Sequence, residues 1–154
     1  MDKLIMKKLL MTLTLLALPF HSQAVEGDSV TVEIEAAYQK YFSDFISRDY
    51  SAIASNFQVP AMLGIRSQSY MIAKTVAEVE EFFKNAPIQE GYAYSTLESI
   101  EVQKLRPDVY SVDTEFSRIG QIGDILFRGR ATYLYSNDTG EWKIFASMGA
   151  LESN

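Results

Sequence analysis

An α+β fold is predicted for this 154-residue chain by three observations. Apolar residues recur at helical spacing in the N-terminal half. Two polar capping signals sit ahead of helical stripes. After Gly91 the texture changes to tyrosine, threonine and branched residues in long runs broken by turn residues. Helices come first and strands last, so the helices pack on one side of an antiparallel sheet rather than alternating with parallel strands.

Residues 1–24 are expected to lie outside that fold. Lys3, Lys7 and Lys8 precede an apolar run from Leu9 to Phe20, and Ser22, Gln23 and Ala24 place small residues where a signal peptidase reads. The run is shorter than the roughly 20 residues that span a bilayer. A secretory leader cleaved after Ala24 follows, with a periplasmic or secreted bacterial location, no membrane attachment afterwards, and one domain over residues 25–154. Cleavage would remove three lysines, Asp2 and the only histidine, His21, and shift the net charge from −6 to the more negative −8.

The first helix is read from Ile34, Tyr38, Tyr41, Phe42, Phe45 and Ile46, which form one stripe ending near Arg48. Asp49 caps a second, short helix from Tyr50 to about Asn56, and Pro60 prevents continuation. Ala61 to Ile65 and Ser69 to Ala73, separated by Arg66, Ser67 and Gln68, read as a short hairpin. Thr75 to Glu78 fits a capping box for a third helix with the stripe Val76, Val79, Phe82 and Phe83, ended by Pro87. Four strands follow as a meander: Tyr92 to Leu105, Val109 to Arg118, Ile125 to Tyr135, and Trp142 to Ala150. In the second of these Tyr110, Val112, Thr114, Phe116 and Arg118 share one face. In the last, Trp142, Ile144, Ala146 and Met148 share one.

Composition narrows the chemistry. The acidic balance disfavours a nucleic-acid partner, because phosphate binding needs clustered lysine and arginine. The chain has no cysteine, and the mature chain would also lack histidine. Disulfides, thiolate and imidazole metal sites, cysteine nucleophiles and Ser-His-Asp triads are thereby excluded. No metal and no cofactor are expected. Glu78, Glu80 and Glu81 read as a solvated helix start, and Asn137 to Thr139 as a turn.

The order of elements, with Arg48, Asp49, Tyr50, Phe57 and Pro60 at the helix pair, the capped third helix, and Tyr133 to Tyr135 returning through Gly140 to Ile144, resembles the nuclear-transport-factor-two-like superfamily. Ketosteroid isomerase and the polyketide cyclases are similar. The resemblance covers roughly Val32 to Leu151. It implies a cone-shaped, curved antiparallel sheet wrapped around the long first helix, a tapered apolar pocket, and a homodimer paired through the sheet. It also implies a catalytic tyrosine on the first helix, which Tyr41 matches. The two acids such isomerases use are missing: Pro60 to Ile65 and Gly129 to Thr132 contain no carboxylate.

The candidate ligand-binding residues are Tyr38, Tyr41, Arg118, Arg128 and Arg130. Tyr38 and Tyr41 lie one turn apart and can face the cone, either as core tyrosines or as hydrogen-bond donors. Arginine among apolar strand residues is costly to bury unless paired or waiting for an anion. Arg128 and Arg130 share a face with Leu126, Thr132 and Leu134, and so form a cationic spot on an apolar wall. The competing reading pairs them with Asp113, Glu115 or Asp124 on the outer face. The expected partner is a small apolar ligand with an anionic or polar end. Two alternatives stand beside it: a cyclase or isomerase using Tyr41 with Asp113, and a dimeric interaction module.

Overall fold

The computed structural model describes residues 29–65 and 69–152. The expected leader and the turn at Arg66 to Gln68 lie outside these residues. The elements run α1 Ser29–Ser47, α2 Tyr50–Ser55, β1 Phe57–Ile65, β2 Tyr70–Ala73, α3 Val76–Asn85, β3 Tyr92–Arg106, β4 Val109–Gly120, β5 Ile125–Ser136 and β6 Lys143–Glu152. Among the described residues, no helix is long and apolar enough to cross a membrane.

In α1 the predicted stripe faces the sheet. Ile34, Tyr38 and Tyr41 are buried, and Phe42 and Phe45 pack against the same core. Each such side chain contributes on the order of 1.5–3 kcal/mol by leaving water. The helix ends at Arg48, whose φ of 56° is the left-handed geometry that commonly closes helices. Asp49 then caps α2, its Oδ1 accepting from the Ala52 amide at 3.0 Å. The corner is tied from behind: Asp44 Oδ2 accepts from Lys40 Nζ and from Asn56 Nδ2, both at 2.8 Å.

The expected cap ahead of α3 forms, with Glu78 reaching back one residue further than a capping box requires. Thr75 Oγ1 accepts from the Glu78 amide at 3.2 Å, and Glu78 Oε2 accepts from the Lys74 amide at 2.5 Å. Val79 is buried and Phe82 and Phe83 are half-buried, whereas Val76 is exposed, so the buried stripe starts one turn later than expected.

One six-stranded sheet has the order β2-β1-β6-β5-β4-β3. The expected hairpin (β1, β2) and meander (β3 to β6) are both present, but β1 joins β6 in parallel, so the sheet is not purely antiparallel. Register shifts interrupt the pairings β1·β6, β3·β4, β4·β5 and β5·β6. Each adds residues to one strand and bends it, so the open sheet curls over α1. One shift corrects the predicted face of β6. Ile144 pairs with Tyr135 and Ala146 with Leu134, leaving Phe145 as an extra residue. Beyond it the alternation inverts: Ser147 turns inward opposite Tyr133, and Met148, expected on the buried face, points to solvent.

Candidate functional site

The concave side of the sheet and α1 enclose an aromatic cup. From α1 come Tyr38, Tyr41, Phe42 and Phe45, from α3 Phe82 and Phe83, and from the sheet Ser95, Phe116, Arg118, Ala131 and Tyr133. Parity explains the sheet's share. Val112, Phe116 and Arg118 of β4 pair across to Tyr133, Gly129 and Phe127 of β5, so the odd-numbered residues of β5 face inward. Gly129 is required there, because a Cβ would collide with the rings of Phe116 and Phe127.

The cup is largely filled by its own rings. The centroids of Tyr38 and Tyr41 lie 5.3 and 5.2 Å from that of Tyr133, and Tyr41, Phe57 and Phe83 continue the cluster at 5.9 and 5.5 Å. What remains is a cavity of about 90 Å³. Small-molecule pockets usually occupy roughly 300–1,000 Å³. The broad tapered pocket implied by the superfamily resemblance is therefore reduced to a small chamber, because aromatic rings from α1, α3, β4 and β5 meet across it.

Burial pushes the phenols of Tyr38, Tyr41 and Tyr133 well up. For Tyr41 a hydrogen bond with Tyr133 and the Arg118 charge oppose that rise without cancelling it. All three hydroxyls stay protonated at neutral pH and cannot act as bases.

Arg118 is the unusual group. It is only 8% exposed and makes no salt bridge among the described residues. Its Nη1 donates to Gln89 Oε1 at 2.9 Å, while its Nε has no hydrogen-bond partner. The guanidinium lies over Phe127, Phe116 and Phe45, 5.3, 5.6 and 5.8 Å from their centroids. Burial lowers its affinity for its proton, against the pull of nearby tyrosine oxygens. Ring faces offset part of the cost of burying the cation, but no counter-charge does.

The other predicted arginines lie elsewhere. Arg128 and Arg130 project from the convex face, both exposed, and neither lines the cup. Arg130 instead forms an ion pair with Glu115. The cationic spot on the apolar wall is thus Arg118 alone, with Arg48 at the edge of the cavity. Arg48 donates through Nε and Nη2 to the Tyr50 hydroxyl at 3.0 and 2.7 Å. Asp113 also faces outward, where it accepts a hydrogen bond from Thr132, so a Tyr41–Asp113 acid–base pair cannot form across the sheet. No carboxylate lines the cavity, and the described residues contain no cluster of three side chains suited to a metal ion.

Tyr133, Phe45, Gln89 and Arg48 were not singled out as site residues. Tyr133 was identifiable in principle: Gly129 and Ala131 at alternate positions mark the inward, crowded face of β5. Gln89 lies in a loop whose path no local pattern specifies.

A long helix laid across a bent, open sheet, with further helices at its rim and a chamber between, defines the NTF2-like class of α+β domains. The chain belongs to the NTF2-like protein family DUF6841, which matches residues 32–152. Solved structures share the fold. A ketosteroid isomerase-like protein from Erwinia carotovora atroseptica is 17% identical with a TM-score of 0.66, covering 82% of this chain and 99% of its own. A DUF3225-family protein of unknown function from Pectobacterium atrosepticum is 19% identical with a TM-score of 0.65, covering 82% and 93%. A cystatin-like fold protein from Burkholderia xenovorans is 16% identical with a TM-score of 0.62, covering 83% and 95%. No curated protein matches the chain.

Proposed function

We propose that this protein is an exported, non-enzymatic small-molecule-binding domain, acting in the periplasm or outside the cell, whose aromatic cup holds a ligand with one polar or anionic end. The observation that carries the reading is Arg118: a cation held under aromatic rings beside a cavity, with a free donor and no acidic partner. A buried charge left in that state is expensive for stability alone, and a ligand that completes it gives the expense a use. The lining favours binding over catalysis, since it offers protonated phenols and guanidinium groups but no carboxylate to exchange protons near neutral pH. Native mass spectrometry of the exported protein tests this. A co-purifying adduct, lost in Arg118→Gln, is expected. A bare mass, together with no thermal shift from any compound in a small-metabolite panel, would remove the reading.

A homodimer has separate support. On the convex face Tyr70 of β2, Gly64 of β1 and Met148 of β6 form one row, and Ile72, Met62 and Ala146 the next. Tyr70, Ile72 and Met148 are 74%, 49% and 57% exposed, an apolar stripe that pairing through the sheet would cover. Light scattering should give twice the chain mass for the native protein and the chain mass for Met148→Asp.

A further inference from the structure

We infer that the ligand is a short-chain monocarboxylate, held by the Arg118 guanidinium with its alkyl end among the rings; this rests on the reading of the cup as a binding site.

Charge sign comes first. The charged residues lining the cavity are Arg48 and Arg118, both cationic, in a chain of net charge −6. The cup therefore selects anions against the field of the whole molecule. Valency comes next. Of the two, Arg48 is exposed and Arg118 is buried, so a monoanion neutralises the one buried cation, whereas a dianion would carry a second negative charge among apolar walls.

Shape follows from which nitrogens are occupied. Gln89 holds Nη1 and so orients the group, while Nε is left without a partner. A planar guanidinium fork is matched to a planar, two-oxygen acceptor. Ser95, which lines the cavity, pairs across from Arg118 in the β3·β4 ladder, and its hydroxyl lies 3.0 Å from that of Tyr92. No carboxylate competes for the guanidinium within the lining.

Size sets the remaining bound. The cavity measures about 90 Å³. An apolar cavity of about 150 Å³ is what benzene fills, so the ligand here has roughly two to four carbons in all. Its alkyl part would rest against Phe116, Ala131 and Phe45.

The test is calorimetric titration of the full chain with acetate, propionate, butyrate, hexanoate, propionamide, 1-propanol and sulfate. Propionate or butyrate should bind saturably, and propionamide and 1-propanol at least tenfold more weakly. Hexanoate and sulfate should also bind at least tenfold more weakly than the best short acid. Arg118→Lys, which keeps the charge but loses the fork, should lose at least tenfold in affinity, with an unchanged near-ultraviolet dichroism spectrum as the check on folding. The wild-type series decides the matter even if that variant fails to fold. Propionamide binding as well as propionate would overturn the carboxylate assignment while leaving the cup a binding site. Sulfate binding equally well would reduce the site to a general anion trap and overturn it too, and hexanoate binding equally well would overturn the size limit. If nothing in the panel binds and native mass spectrometry finds no adduct, the binding reading itself falls.

Discussion

Arg118 on β4 and Arg130 on β5 belong to neighbouring strands of one sheet, yet they live in different solvents. Arg118 points into the concave face, loses nearly all its contact with water and has ring faces in place of a carboxylate. Arg130 points the other way, keeps most of its exposure and meets Glu115. Residue type is the same in both. Strand parity decides which is a latent binding group and which is a surface ion pair. The concave face carries packing and recognition together, and the convex face carries solubility and an apolar stripe.

Substitutions should separate the two faces by size of effect. The largest belongs to the aromatic cluster: Tyr38→Ala should cost about 3–5 kcal/mol in urea denaturation, since Tyr38 is 1% exposed and its loss opens a hole that neighbouring rings cannot close. Alkaline titration comes next. Burial raises the phenols of Tyr38, Tyr41, Tyr133 and Tyr135 above their unfolded value of about 10. Their contribution is fully present below that value and is lost as pH rises through the raised folded values. Absorbance at alkaline pH should therefore show these four of the nine tyrosines ionising only together with loss of the dichroism signal. An early, complete titration with the fold intact would contradict their placement.

Smaller effects sharpen the contrast. Thr75→Ala should cost about 1 kcal/mol by removing the α3 cap, read as a lower urea midpoint at constant slope. Arg118→Met should leave stability unchanged or raise it by about 1 kcal/mol, since an unpaired buried cation gives way to an apolar chain of similar length, while ligand binding disappears. A marked loss of stability would mean that the rings over Arg118 are the reason it is there. Smallest of all, Arg130→Gln should change stability by less than about 0.5 kcal/mol, the difference shrinking further in high salt, because both partners are well exposed.

Much of this architecture could be read from residue order. Asp49 and Thr75 announced their helices because capping is local chemistry, satisfied within three residues. The inward face of β4 was legible because its apolar residues fall on one parity. β5 was ambiguous: Leu126 and Leu134 argue for one face, Phe127, Tyr133 and Tyr135 for the other, and only the ring contacts at Gly129 break the tie. The same ambiguity left Arg128 and Arg130 open between the cup wall and an outer-face pairing, and Arg130 takes the latter with Glu115. Met148 was misplaced by one extra residue at Phe145, which depends on how β6 meets β5 rather than on β6 alone. The volume of the cup was not legible at all, since it is what α1, α3 and the sheet leave over after packing.

The parallel ladder between β1 and β6 has a consequence for how the domain is made. The N-terminal hairpin reaches the sheet only through β6. Its place stays vacant until β6, which begins 70 residues beyond the end of the hairpin (Ala73 to Lys143), has been synthesised and folded, so assembly waits on the C-terminus. A chain stopped before Lys143 would leave β1 and β5 with open edges, primed for adhesion to other chains rather than for a smaller working unit.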